Sequence, residues 1–159
     1  MAARIQEADF DIAAEIRALT SGQDVGAVAT FTGIVRAGAG ESRIAAMTLE
    51  HYPGMTERAL ADVEAEACRR WPLTASLVIH RFGRLVPGDN IVLVITASAH
   101  REAAFDAARF LMDYLKTEAP FWKREERASG ETTWVHARPS DDQARERWAQ
   151  PRAVPSRKP

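Results

Sequence analysis

The chain has 159 residues, 46% of them hydrophobic, and carries 21 basic against 22 acidic side chains. This length suits a single domain with a sizeable core. The near-neutral charge argues against a protein that coats nucleic acid or an anionic membrane. A lone cysteine, Cys68, excludes an intrachain disulfide and a Cys-cluster metal site. Only three basic residues are lysines, namely Lys116, Lys123 and Lys158, and the others are arginines.

The apolar segments indicate a soluble protein. The first ten residues include charged side chains, so they lack the continuous apolar core of a signal peptide. The longest strongly apolar stretch, Ile91–Ala99, is far shorter than the roughly 20 residues that cross a bilayer. A single cysteine suits a reducing compartment. We therefore expect a cytoplasmic protein that binds neither membranes nor nucleic acid.

The first half of the chain predicts a helix, two strands and a second helix. In chain order these are a helix from Asp9 or Asp11 to Leu19, a strand over Val25–Val35, a loop over Ala37–Ser42, a strand over Ile44–Tyr52 and a helix over Met55–Trp71. Aspartate is a common helix N-cap, and β-branched residues favour strands. Pro53-Gly54 ends the second strand as a turn, and Pro72 ends the second helix.

The second half continues the alternation of strand pairs and helices. The predicted elements are strands over Ser76–Phe82 and Asn90–Ser98 joined by a hairpin-like turn at Val86–Asp89, a helix over Arg101–Lys116, a hairpin of Phe121–Arg127 with Thr132–Ala137, and a helix over Ser140–Trp148. Successive strands joined by short turns favour antiparallel pairing. We therefore predict an α+β fold in which a largely antiparallel sheet packs with helices. A single domain covers residues 1–148, and residues 149–159 form a loose C-terminal tail.

Two lysines border a proline break near the end of the third predicted helix. Lys116 lies in the last turn, where the helix dipole favours a cation, and this alone can explain it. Lys123 follows Pro120 and the apolar pair Phe121-Trp122. Two ammonium groups brought together here would lower each other's pKa, and partial burial would add to this effect. A lysine with a lowered pKa can act as a base or nucleophile.

Two further positions can bind an anion. The segment Ser98–Arg101 joins a strand to a helix, so free N–H groups and the positive end of the helix dipole meet His100 and Arg101. A simple helix cap by Ser98 or His100 explains this segment equally well. Arg36 follows an apolar strand beside a glycine loop. There it can clamp a phosphate or carboxylate, or it can be an ordinary surface arginine.

Other chemistries have no support in the sequence. The four histidines, His51, His80, His100 and His136, lack the spacing of a metal site. There is no Walker-type glycine run, no G-x-S-x-G elbow and no dinucleotide-binding glycine motif. Cys68 lies within an amphipathic predicted helix and is interpreted as structural. We therefore expect no metal and no bound cofactor, and the residues alone name no substrate.

Several motifs occur together in a fixed order along the chain. They are Phe31-Thr32-Gly33 with Val35-Arg36, Leu49-Glu50-His51-Tyr52-Pro53-Gly54-Met55, His80-Arg81 with Pro87-Gly88-Asp89, Ser98-Ala99-His100-Arg101, Asp113-Tyr114-Leu115-Lys116, and Ala119-Pro120-Phe121-Trp122-Lys123. Together they resemble the large, catalytic subunits of molybdopterin synthase, the MoaE family. The resemblance extends from about residue 4 to Trp148. It implies a hammerhead-like α/β arrangement for the predicted fold.

The resemblance also implies an activity and partners. In this family a small ubiquitin-like subunit carries sulfur as a C-terminal Gly-Gly thiocarboxylate. Its tail enters a pocket of the large subunit, where cyclic pyranopterin monophosphate receives two sulfurs and becomes the dithiolene of molybdopterin. The large subunit is usually a homodimer with a small subunit at each end, a heterotetramer in all. The pocket can draw residues from both large subunits.

By the same resemblance, Lys116 and Lys123 are the expected catalytic residues. The expected substrate-binding residues are Arg36, His100, Arg101 and, with a weaker match, Arg138. Phe31, Met112 and Phe121 are candidates for the pocket wall, although each is equally consistent with a place in the core.

Two other functions remain as alternatives. The first is a non-catalytic subunit that keeps the fold and the partner groove but has lost turnover. The presence of both motif lysines argues against it. The second is a stand-alone enzyme that forms a Schiff base at Lys123, which has no support beyond the lysine itself.

Overall fold

The computed structural model describes residues 2–40, 43–135, 143 and 146–149. Within these residues the chain forms three helices and eight strands. In order they are β1 (Ala2–Gln6), α1 (Ile12–Thr20), β2 (Ala27–Ile34), β3 (Ile44–His51), α2 (Met55–Arg70), β4 (Leu73–Arg81), β5 (Gly83–Leu85), β6 (Asn90–Ser98), α3 (Arg101–Thr117), β7 (Phe121–Arg127) and β8 (Thr132–Val135).

The strands form two four-stranded sheets. Sheet A has the order β1-β4-β6-β2 and sheet B has the order β5-β3-β7-β8. All neighbouring strands are antiparallel except β1 and β4, which are parallel. The predicted α+β fold with a largely antiparallel arrangement is therefore confirmed, with its strands divided between two sheets.

Helices cover both faces of sheet A. One face packs against α2 and α3 around Leu60, Val78 and Leu111. The other face packs against α1 through Ile79 and Ile95. This double cover explains why β4 and β6 are almost continuous apolar runs, since both of their faces are removed from water. A smaller apolar cluster, containing Val35, Ile44, Leu49 and Leu85, lies beneath sheet B.

Local signals in the sequence set the ends of the helices. The side chain of Asp11 accepts a hydrogen bond from the Ala14 N–H at 3.0 Å and so caps α1. Gly54 precedes α2 with a φ of 82°, which glycine adopts without strain. Its N–H donates to the Glu57 carboxylate at 2.6 Å. Helix α3 ends at Thr117, three residues before Pro120.

The structure differs from the predicted strand pairing in three ways. First, β2 and β3 do not pair with each other, because β2 joins β6 in sheet A and β3 joins β5 and β7 in sheet B. Second, the turn between β4 and β6 contains the short strand β5, which crosses to sheet B. Third, β1 was not predicted, because its five residues have no clear apolar alternation.

Part of the prediction lies outside the described residues. This applies to residues 136 and 137 of the last predicted strand, to most of the predicted helix Ser140–Trp148 and to the tail from residue 150. In the described part of the chain, no helix is long and apolar enough to cross a membrane.

Candidate functional site

A cleft of about 480 Å³ lies between α3 and the edge strand β2. Its lining residues are Phe31 from β2 and Phe105, Asp106, Ala108, Arg109, Met112, Asp113 and Lys116 from α3. Residues 105, 109, 112 and 116 share one helix face, since side chains three or four positions apart lie above one another. The structure thus brings Lys116 together with two of the predicted wall residues, Phe31 and Met112.

Lys116 lies at the end of this cleft in the last turn of α3, and it is exposed. The aromatic rings of Phe31 and Phe105 are 41% and 64% exposed, so the cleft offers apolar surface to a ligand. Asp113 is engaged elsewhere, because its Oδ2 accepts a hydrogen bond from the Trp148 indole N–H at 2.8 Å. The cleft therefore combines apolar walls with an exposed primary amine, which is suited to an uncharged chain that ends in an anionic group.

Lys123 lies on the inner face of sheet B. It pairs with Leu49 of β3 and Val135 of β8, and it is half-buried. Leu49 is 1% exposed, so the side of β7 that carries Lys123 faces the interior. Lys123 does not line the α3–β2 cleft in the described structure.

Phe121, two residues before Lys123, is also outside that cleft. Its ring stacks on His80 of β4, with the ring centroids 3.7 Å apart and the planes 17° apart. Burial is the main cause that lowers the pKa of His80 to about 4, and the positive charges of Lys123 and His51 contribute. Phe121 thus forms part of an aromatic contact between the two sheets.

A buried threonine holds the turn that leads into β7. Thr56, at the start of α2, is fully buried, and its hydroxyl lies 3.3 Å from the Pro120 carbonyl. The same hydroxyl accepts from the Tyr52 N–H at 3.1 Å and lies 3.0 Å from the Tyr52 carbonyl. One side chain therefore joins the end of β3, the start of α2 and the proline break before Lys123.

The predicted anion-binding residues lie at opposite ends of sheet A. In the β2–β6 pair, Ile34 lies opposite Asn90 and Ala27 lies opposite Ser98. Arg36 therefore lies beyond the Asn90 end of β6. His100 and Arg101 lie beyond its Ser98 end, where His100 is the N-cap of α3. The nine residues of β6 separate these groups by ~26 Å, at about 3.3 Å a residue.

All three of these side chains are exposed. Helix α3 runs back along the sheet, because Thr96 near the Ser98 end of β6 donates to the Ala104 carbonyl near the start of the helix. Phe121, four residues after the helix, stacks on His80, which pairs with Val92 near the Asn90 end of β6. The last turn with Lys116 therefore lies towards the end of the sheet that carries Arg36. The described chain by itself therefore does not bring Arg36 and Lys116 together with His100 and Arg101. The fourth predicted residue of this group, Arg138, lies outside the described residues.

A second cavity, of about 470 Å³, lies between α2, α3 and Trp148. Its lining includes Glu66, Arg70, Phe110 and Tyr114. Burial, with the negative charges of Glu118 and Asp62, raises the pKa of Tyr114. The cavity contains none of the predicted site residues.

Sequence reasoning missed three residues near the candidate site. Phe105 and Arg109 precede Lys116 at helical spacing, and this spacing could have placed them on the same face. His80 follows the apolar residues 77–79 of β4 and belongs to a quoted motif, but it was given no role at the site. Cys68 of α2 is half-buried, and burial raises the pKa of its thiol, in keeping with a structural role. Among the described residues, no group of His, Cys, Asp and Glu can hold a metal ion.

The fold and the site define a class of protein, a two-sheet α+β domain with an amine at an apolar cleft and cationic residues at both ends of one sheet. The model of the MoaE protein family matches residues 5–118 of this chain. The molybdopterin synthase catalytic subunit of Mesorhizobium japonicum is 58% identical over 147 residues, which are 91% of this chain and 91% of the relative. The chain therefore belongs to the MoaE protein family.

Solved structures share the fold. The molybdopterin biosynthesis MoaE protein from Burkholderia ambifaria is 50% identical with a TM-score of 0.78, and the match covers 94% of this chain and 99% of that one. A protein in the complex of subunits 1 and 2 of the Helicobacter pylori molybdopterin-converting factor is 18% identical. Its TM-score is 0.71, and the match covers 86% of this chain and 91% of that one. At 18% identity, the likeness to the Helicobacter pylori protein shows only that the fold is shared.

Proposed function

We propose that this chain is the catalytic subunit of molybdopterin synthase. It transfers sulfur from the C-terminal thiocarboxylate of a small ubiquitin-like subunit to cyclic pyranopterin monophosphate and so forms the dithiolene of molybdopterin. Membership of the MoaE family supports this function. The observation that carries it is Lys116, an exposed amine at the end of a cleft with the apolar walls Phe31 and Met112.

The chemistry of the transfer explains the need for lysines. The thiocarboxylate sulfur forms a bond to a substrate carbon while the carbon–oxygen bond at that carbon breaks and the oxygen leaves with a proton. Water then attacks the resulting thioester, the acyl carbon–sulfur bond breaks, and the partner is released with a carboxylate terminus while the sulfur stays on the substrate. Negative charge develops on the carbonyl oxygen during this attack. Ammonium groups of Lys116 and Lys123 can stabilise this oxyanion and exchange protons with the reacting groups. Arginine stays protonated, so it serves to anchor anions and not to exchange protons.

In this proposal Arg36, His100, Arg101 and Arg138 bind the cyclic phosphate and the carboxyl terminus of the partner. Arg36 and the His100–Arg101 pair lie at opposite ends of β6, and a second copy of the chain supplies the missing group to each site. The edge strand β2 supports self-association, because Val28, Phe31 and Ile34 are 38%, 41% and 55% exposed along it. Exposed apolar side chains on a sheet edge favour pairing with another chain.

The proposed assembly is a homodimer with one small subunit on each copy, a heterotetramer. The 58% identical relative is named a catalytic subunit, which supports a further subunit as partner for this chain. The Helicobacter pylori protein that shares the fold is part of a complex of subunits 1 and 2 of the molybdopterin-converting factor. The proposal places the protein in the cytoplasm, since a chain with one cysteine suits a reducing compartment.

Reconstitution tests this function. The purified chain is mixed with a small subunit that ends in Gly-Gly thiocarboxylate and with cyclic pyranopterin monophosphate, and the product is identified by mass spectrometry. We expect a product with two added sulfurs, and none when the small subunit ends in an ordinary carboxylate. Association with the small subunit without any product would instead identify a non-catalytic binding subunit.

A further inference from the structure

His80 is the most buried titratable side chain near Lys123, and the mechanism above does not use it. It is 4% exposed and lies at the end of β4 in sheet A. Its backbone pairs with Ile5 of β1 and Val92 of β6, so the strand that carries it is held from both sides. A buried imidazole at this place is fixed in space by the central part of the fold.

The orientation of the His80 ring is fixed as well. Its Nδ1 lies 2.8 Å from the Arg81 carbonyl oxygen. A carbonyl only accepts hydrogen bonds, so Nδ1 carries the proton and donates. The titratable groups that act on His80 from the neighbouring elements are Lys123 of β7 and His51 of β3, and both are basic. Burial of the His80 ring, together with these basic neighbours, keeps the imidazole neutral. The ring therefore contributes a flat surface and not a charge.

This ring is stacked on the first residue of β7. The centroids of His80 and Phe121 are 3.7 Å apart and the planes are nearly parallel, at 17°. His51 is the cross-strand partner of Phe121, with its ring centroid 6.4 Å away. Phe121 therefore has one imidazole from each sheet as a neighbour. Lys123 follows two residues later, on the same side of the strand.

We infer that His80 is a positioning residue for Lys123, and that it acts through the stack on Phe121. The ring fixes the place and direction of the start of β7, and the next inward-facing residue on that strand is the lysine. Strand β7 needs such support, since none of its seven residues is buried. This inference rests on the proposed role of Lys123 in sulfur transfer.

The first test compares three variants in the reconstituted reaction. His80→Ala removes the ring, and we expect kcat to fall about tenfold with little change in KM for the small subunit, because misplacement of a catalytic group slows the reaction step. His80→Phe keeps a flat ring on Phe121, and kcat should return to within about threefold of the wild type. Phe121→Leu should match His80→Ala, and the double variant should add no further loss because both changes remove one contact.

Ile79→Ala is the matched control. Ile79 is the preceding residue of β4, is fully buried and faces α1 on the opposite side of sheet A. Its truncation should lower stability and leave kcat unchanged. An equal fall in kcat for Ile79→Ala and His80→Ala would identify a merely structural effect and would overturn the inference. Failure of His80→Phe to restore kcat would also overturn it.

A second test does not depend on activity. The protein is treated with a limiting amount of an acetylating reagent, and modification of Lys123 is measured by mass spectrometry relative to Lys116 as an internal reference. In His80→Ala, release of the strand should raise the Lys123 to Lys116 ratio about threefold or more, and His80→Phe should leave it unchanged. An unchanged ratio in His80→Ala would contradict the inference. Full activity of Lys123→Ala would contradict the proposed role of Lys123 in sulfur transfer. It would leave the acetylation result in the His80 variants, and thus the positioning of Lys123 by His80, unaffected.

Discussion

The two lysines of the proposed site are held in different ways. Lys116 lies on α3, a 17-residue helix with eight buried side chains, so the packing of its own element determines its position. Lys123 lies on β7, none of whose seven residues is buried. Its position depends on contacts made by other elements, which include the neighbouring strands β3 and β8, the His80–Phe121 stack and the hydrogen bonds of Thr56. Distant substitutions should therefore affect Lys123 and not Lys116.

The largest expected effect is at Lys116 itself. Lys116→Ala should lower kcat for sulfur transfer by on the order of 10²–10⁴, the usual contribution of a positioned acid or base. Lys116→Arg keeps the positive charge but cannot exchange a proton near neutral pH, so it should not restore activity. The measurement is the rate of dithiolene formation under saturating small subunit. Lys158→Ala, outside the quoted motifs, is the control and should be as active as the wild type.

Full activity of Lys116→Ala would remove Lys116 from the chemistry. Restoration by Lys116→Arg would reduce its role to the binding of an anion. Either result would leave Lys123 as the only lysine of the proposed site with a proton to exchange.

The support for Lys123 should depend on pH through His80. The pKa of His80 is about 4 in the folded chain, below the ordinary value of 6.5. A lowered pKa means that the unfolded chain binds the proton more readily, so stability is fully present above pH 6.5 and is lost as the pH falls towards 4. Between pH 7 and 5 the free energy of unfolding should fall by on the order of 2 kcal/mol because of this residue.

Urea denaturation of the wild type and of His80→Phe at both pH values measures this contribution. The variant lacks the titrating group, so its stability should fall less than that of the wild type over the same interval. Equal losses for the two proteins would show that the His80 ring does not differ in proton affinity between the folded and unfolded chains.

The smallest expected effect comes from the turn before β7. Thr56→Val leaves the Tyr52 N–H and the Pro120 carbonyl without their hydroxyl partner, which should cost about 1–2 kcal/mol of unfolding free energy. It should also raise the reactivity of Lys123 relative to Lys116. The matched control is Thr117→Val, beside Lys116. The Thr117 hydroxyl bonds to the Asp113 carbonyl within α3, and loss of such a bond is nearly neutral.

Thermal or urea unfolding and the acetylation ratio test both variants. If Thr117→Val changes the ratio as much as Thr56→Val does, the two lysines are not held differently, and the comparison between them fails.

Most elements of the fold could be predicted because their signals are local. Asp11 caps α1, Pro72 follows α2 and Pro120 follows α3, and the predicted bounds agree with the structure to within a few residues. The two predicted hairpin pairings, β4 with β6 and β7 with β8, are confirmed. The other pairings could not be predicted, because they depend on contacts between distant parts of the chain. The pairing of β1 with β4, the separation of β2 from β3 and the crossing of β5 to sheet B have no signature within the strands themselves.

The site was predictable in part for the same reason. Lys116, Met112 and Phe31 come together because α3 lies on β2, and the sequence analysis had already named these residues as candidates. Phe121 was expected in the pocket wall, and its stack on His80 was not foreseen because it joins residues 41 positions apart in two different sheets. The location of Arg36 and Arg101 at opposite ends of β6 also required the strand register.

We expect each site to combine the Lys116 and Arg36 end of one copy with the His100 and Arg101 end of another. The most direct measurement uses dimers with differently tagged copies, one with Lys116→Ala and the other with Arg101→Ala. One of the two sites is then intact, so about half of the wild-type activity is expected, although each variant is inactive as a pure dimer. A mixed dimer of Lys116→Ala and Arg36→Ala has no intact site and should be inactive. Inactivity of both mixed dimers would contradict a site shared between two copies, because it would place all these residues in a site formed by a single copy.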